Sequence, residues 1–110
     1  VKRTSPAMVA ATEYHRFATE AQLQQTILDA ARQLNWMVYH TFDSRRSEPG
    51  FPDAVLLRGR RCLVLEFKTE KGRVSTAQTE WLEAFAEAGI DARVVRPSES
   101  DEVLDDLRRW

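Results

Sequence analysis

With 110 residues the chain is long enough for one hydrophobic core and too short for two. Apolar residues make up 43% of it and charged residues 30%, no apolar run approaches the ~20 residues that span a bilayer, and a lone cysteine, Cys62, excludes an internal disulfide or a cysteine zinc site. The net charge of −1 hides an uneven distribution: residues 45–73 carry eight basic and four acidic side chains, whereas residues 74–110 carry four basic and nine acidic ones. A basic middle and an acidic end suggest two faces, one of which could meet phosphate, although such runs are more often a solvated surface.

Residues 1–18 read as a mobile arm without a clear period, carrying a short helical turn near Met8 to His15; the folded domain then runs over residues 19–110. The opening residues show no continuous apolar stretch. With the single cysteine, this fits a reducing, cytoplasmic setting and no membrane. The first strong helix begins at Thr19. Thr19 and Gln22 make a capping-box pair, and Leu23, Ile27, Ala30, Ala31 and Leu34 recur at helical spacing. Glu20 falls on that apolar stripe, at its N-terminal end, and not on the solvent face.

Residues 37–42 are rich in strand-forming types and are followed by a polar loop over 43–52. Two short apolar runs, 54–57 and 62–65, flank Arg58-Gly59-Arg60-Arg61. Glycine at the first central position of a two-residue turn suits type II′. That turn fixes a register in which Leu57 faces Cys62, Val55 faces Val64, and Asp53 faces Glu66. Lys68, two residues past Glu66, shares its face, while Ala54, Leu56, Leu63, Leu65 and Phe67 occupy the other. Both faces are largely apolar, which makes these central strands.

Ser75 and Gln78 form a second capping-box pair, with Trp81, Leu82 and Phe85 on one face of the helix and Gly89 as its C-terminal stop. Residues 92–95 read as a last strand ended by Pro97, and residues 99–109 as an acidic helix capped by Ser98. The order α-β-β-β-α-β-α describes an α/β domain, a mixed central sheet flanked by helices.

Two carboxylates opposite each other on neighbouring strands repel, and each here ends an apolar run where a bare charge would be partly desolvated. A sequence serving only to fold would rarely place them so. A bound divalent cation removes the conflict, because Mg²⁺ and Mn²⁺ take hard oxygen ligands. Glu20 is a candidate third acid. The Lys68 ammonium could hold a water or neutralise charge growing on a phosphoryl oxygen. Taken singly, each residue has a plain structural reading: Asp53 as a strand start, Glu66 and Lys68 as solvated strand charges, Glu20 as a helix-dipole acid, Gln78 as a cap. Their joint spacing does not.

Gly50-Phe51-Pro52-Asp53, followed thirteen residues later by Glu66-Phe67-Lys68, resembles the signature of the PD-(D/E)XK nuclease superfamily. A glutamate on the preceding helix (Glu20) and a glutamine opening the following one (Gln78) make it similar to the VRR-NUC family, whose small stand-alone members occur in bacteria and their viruses. The resemblance covers roughly residues 19–97. It implies a restriction-endonuclease-like core, Glu20, Asp53 and Glu66 as ligands of Mg²⁺ or Mn²⁺, Lys68 assisting catalysis and Gln78 supporting the site. It also implies an endonuclease on duplex or branched DNA, similar to Holliday-junction resolvases and working as a homodimer. A DNA-binding or scaffolding module that keeps the fold without turnover is the alternative.

Further candidates surround this centre. Arg45 and Arg46 could clamp a phosphate ahead of Asp53, and Lys71, Arg73 and Ser75 could contact DNA beyond Lys68. Ser75 also reads as a plain helix cap. His40 is a weaker candidate base. Cys62 reads as core, and Trp36, Trp81 and Trp110 read as packing or a dimer seam.

Overall fold

The computed structural model describes residues 6–41 and 47–109, and for residues 6–9 the backbone alone. The elements run α1 (Pro6–Phe17), α2 (Glu20–Gln33), β1 (Met37–His40), β2 (Ala54–Arg58), β3 (Arg61–Phe67), α3 (Thr76–Glu87), β4 (Asp91–Val95) and α4 (Ser100–Leu107). A 3-10 turn, Pro97–Glu99, leads into α4. The strands form one mixed sheet in the order β1-β2-β3-β4. β1, β2 and β3 are antiparallel neighbours, and β4 returns parallel to β3 after the α3 crossover.

Both predicted capping boxes form. Thr19 Oγ1 accepts the Gln22 N–H while Gln22 Oε1 accepts the Thr19 N–H, and Ser75 and Gln78 exchange the same two bonds. Gly89 follows the end of α3 with φ of +84°, the left-handed conformation that suits glycine past a helix. The hairpin register is the one read from the turn: Leu57 pairs with Cys62 and Val55 with Val64, and Gly59 has φ of +59°.

The core lies on one face of the sheet. Leu23, Ile27, Leu28 and Ala31 of α2, with Val103 and Leu107 of α4, pack on Ala54, Leu56, Leu63, Leu65 and Phe67. Burying a side chain of this size contributes roughly 1.5–3 kcal/mol each, which fixes the sheet against its two helices. Strand alternation sends Asp53, Val55, Leu57, Val64, Glu66 and Lys68 to the other face. There Val64 is fully buried, but Leu57, Met37 and Tyr39 are exposed, so only the β3–β4 half of this face is covered. β2 and β3 are central in the sheet, yet β2 is not buried on both sides.

Three readings change. Residues 1–18, expected as an arm, contain a twelve-residue helix, α1, with Pro6 at its first position, where the missing N–H costs nothing; residues 1–5 lie outside the described residues. The last helix starts at Ser100, and Ser98 is not its cap. Instead the Glu99 carboxylate accepts the Arg96 N–H, and the Ser98 N–H donates to Glu70. The basic cluster is in part structural. Arg58 and Arg61 lie over the buried Trp36 ring, at 4.5 and 5.1 Å from its centroid, and Arg61 pairs with Asp106 of α4 at 3.3 Å. Trp36 Nε1 donates to the Leu107 carbonyl, so these groups fasten α4 to the hairpin.

Candidate active site

The site is built where β2 begins and β3 ends. Asp53 precedes the first ladder pair, Ala54 with Leu65, so it faces Glu66 one step beyond the strand pairing. Its backbone carbonyl accepts the Thr41 N–H at 2.9 Å. Its side chain reaches across, and Phe67 donates its N–H to Asp53 Oδ2 at 2.8 Å. That bond replaces the missing ladder contact and holds the aspartate against the strand segment Glu66-Phe67-Lys68.

Glu66 is 3% exposed, the one charged side chain that is buried among the described residues. Gln78 Nε2 donates to its Oε1 at 2.9 Å. Its other oxygen, Oε2, is buried without a hydrogen-bond partner among the described residues. Burial, reinforced by the neighbouring Asp53 carboxylate, pushes the Glu66 carboxyl up to about 8, with the Lys68 ammonium pulling the opposite way. Without a cation, the Glu66 carboxyl keeps its proton near neutrality. Lys68 follows the end of β3, half-buried, and its N–H continues the parallel ladder to the Val95 carbonyl at 3.0 Å.

Gln78 joins the capping of α3 to this site. Its Oε1 accepts the Ser75 N–H, which leaves the amide NH₂ turned toward Glu66. The Ser75 hydroxyl accepts the Gln78 N–H, so the serine acts as the helix cap. The approach to Asp53 is pinned as well. Gly50 has φ of +81°, and a Cβ there would lie 2.4 Å from the Ala77 carbonyl carbon. Phe51 packs edge-on against Trp81 and Phe85, with centroids at 5.1 and 6.0 Å, and Trp81 Nε1 donates to the Pro49 carbonyl. Packing is therefore the role of Trp81. Gly50 and Phe51 were visible in the sequence only as motif letters; their close fit against α3 is a tertiary fact.

Asp53, Glu66, Lys68 and Gln78 are thus brought together. Glu20 is not placed with them: it is exposed, and among the described residues no three His, Cys, Asp or Glu side chains stand close enough to hold a metal ion. The buried stripe of α2 begins at Leu23, so the helix's first turn stands outside the packed region. His40 pairs with Ala54 and lies on the α2 side of the sheet, away from Glu66, which excludes the general-base reading in this arrangement. Cys62 lies on the open face, half-buried and not in the core, and burial raises its thiol. Lys71 and Arg73 are exposed beyond Lys68, while Arg45, Arg46 and Trp110 lie outside the described residues.

The family model for the VRR-NUC domain matches residues 6–99. The chain belongs to the VRR-NUC family. This is a PD-(D/E)XK-type nuclease family, which places the chain among nuclease-type DNA-processing proteins. The match to the VRR-NUC domain begins at Pro6 and so takes in α1. A solved VRR-NUC domain superposes with a TM-score of 0.67 at 21% identity, over 80% of this chain and 97% of that one, a likeness of fold. No curated protein matches the chain. Among the described residues no helix is long and apolar enough to cross a membrane.

Proposed function

We propose that the chain is a Mg²⁺- or Mn²⁺-dependent DNA endonuclease whose reacting centre is Asp53, Glu66 and Lys68, with Gln78 positioning Glu66. The observation that carries this is the Glu66 carboxylate, buried beside a second acid with one oxygen unpartnered. Such an oxygen costs free energy unless something binds it, and a hard cation is the ligand that two facing carboxylates fit. Asp53 and Glu66 would hold it directly. Glu20 is offered as a further ligand by the family resemblance alone.

When bound, the cation would polarise the phosphate and lower the pKa of a bound water. The chain's own groups do the rest. Gln78 keeps Glu66 turned toward the site and the Phe67 N–H keeps Asp53 facing it. The Lys68 ammonium, on the same face, neutralises charge developing on a phosphoryl oxygen or orients the attacking water. Arg45, Arg46, Lys71 and Arg73 supply cations for the flanking phosphates. Branched DNA is the favoured substrate. A junction presents two strands related by two-fold symmetry, and one 110-residue chain carries one such centre, so paired incision calls for a homodimer.

The test is incubation of the purified protein with supercoiled plasmid, linear duplex and a four-way junction, each with Mg²⁺, Mn²⁺ or EDTA. Cleavage in metal, strongest on the junction and absent in EDTA, is expected. Binding of all three without cleavage in any metal would instead identify a scaffolding module.

A further inference from the structure

A cleft of about 500 Å³ lies between the end of α1 and the turn that follows Lys68. One wall is His15, Arg16 and Phe17; the other is Thr69, Glu70 and Lys71. Phe17 is 67% exposed, and the Arg16 guanidinium lies 5.2 Å from its ring centroid. A large exposed aromatic ring with a cation over it gains little from the fold and resembles the platforms on which bases stack. The opposite wall is held rigid. The Arg96 guanidinium donates to the carbonyls of Thr69, Glu70 and Gly72 at 2.8, 3.2 and 2.8 Å, and Glu70 Oε2 accepts the Ser98 N–H at 3.0 Å. That hydrogen bond holds the Glu70 carboxyl below its usual range, and it draws the acid toward Ser98.

Resting on the nuclease reading, we infer that this cleft receives one unpaired nucleotide of the DNA strand beside the scissile phosphate, its base against Phe17 and its phosphates between Arg16 and Lys71. The wall begins at Thr69, the residue after Lys68, so the cleft adjoins the reacting centre along the chain. The volume suits one nucleotide and excludes a duplex. The cations supply the matching charge, and the aromatic face is indifferent to which base arrives. A frayed or branched end supplies an unpaired nucleotide, and a continuous duplex does not.

The probe is a forked oligonucleotide with 2-aminopurine at the first unpaired position, and the reference is a fully paired duplex, both in EDTA. The parent protein should quench the fluorescence and bind the fork more tightly than the duplex. Phe17→Ala should abolish the quench and weaken fork binding about tenfold, the loss of one stacked base. Phe17→Tyr should restore both. Lys71→Ala, on the other wall, should lower the salt slope on the single-stranded arm by about 0.7. Melting temperatures equal to the parent's would show that these exposed positions leave the fold intact. A parent that does not quench, or a Phe17→Ala variant that matches the parent in quench and affinity, overturns the cleft. Quenching and fork preference without cleavage of any DNA in Mg²⁺ or Mn²⁺ would overturn the nuclease reading and leave the cleft standing.

Discussion

The Phe67 N–H, set between Glu66 and Lys68 in the chain, donates to the Asp53 carboxylate at 2.8 Å. Asp53 therefore has two roles, fastening the start of β2 to the end of β3 and presenting charge to Glu66. Substitutions can separate them. Asp53→Asn keeps an oxygen for the Phe67 N–H and replaces the carboxylate that faces Glu66 with a neutral amide. It should be inactive as a nuclease yet at least as stable as the parent in metal-free buffer, with a gain of about 1 kcal/mol, the order of a cross-strand charge pair, above about pH 8, where the Glu66 carboxyl is charged too. Asp53→Ala loses the bond and should cost about 1–3 kcal/mol. Thermal melts of both variants check this; a marked loss in the asparagine variant would contradict the charge argument.

Metal-free stability should fall as pH rises through the neutral range. The folded Glu66 carboxyl lies at about 8, against 4.5 for the free side chain. Between those values the unfolded chain has lost the proton that the folded chain keeps. The folded state then binds more protons, and stability decreases with pH. The contribution is full below about 4.5, drains by at most about 1.4 kcal/mol per pH unit, and is gone above about 8. Urea melts of the parent and Glu66→Gln at pH 5, 6.5 and 8 should show the decline in the parent and a flatter profile in the variant. Equal slopes would sink the assignment.

The link from Ser75 through Gln78 to Glu66 predicts an indirect effect. Ser75→Ala removes one cap bond, costs about 1 kcal/mol, and loosens the side chain that orients Glu66. Cleavage should slow while DNA affinity stays close to the parent's. Gln78→Ala should slow it further. Rates and affinities measured side by side decide this. If Ser75→Ala loses affinity and keeps its maximal rate, the serine contacts DNA instead.

Gly50→Ala should be more damaging than its size suggests. Its backbone has φ of +81° and touches Ala77, so the added methyl meets both strain and a clash. We expect a loss above about 1 kcal/mol with a disproportionate loss of cleavage, since the loop that ends at Asp53 must shift. A variant as stable and active as the parent would show that this loop does not position the aspartate.

The sequence was most informative where interactions are local. Both capping boxes, the Gly59 turn and the register it sets are decided within a few residues, and they bring Asp53 to Glu66. Long-range matters were hidden. The roles of Arg58 and Arg61 depend on Trp36 and α4, which pack from distant parts of the chain. His40 could not be assigned a face because the 43–52 loop, unlike the Gly59 turn, does not set a register. The placement of Glu20 depends on how far α2 overhangs the sheet. Pro6 did carry a local signal for α1, as proline at a helix's first position.

Cleavage of a four-way junction by the parent and by Lys68→Ala, in Mg²⁺ and in EDTA, tests the central claim most directly. Lys68 lies past β3 with its backbone bonded to Val95, so removing its ammonium should leave the fold in place. The parent should cut in Mg²⁺ and stop in EDTA, and Lys68→Ala should fold, bind the junction and lose at least about a hundredfold in rate. Undiminished cleavage by Lys68→Ala, or by the parent in EDTA, would contradict the account.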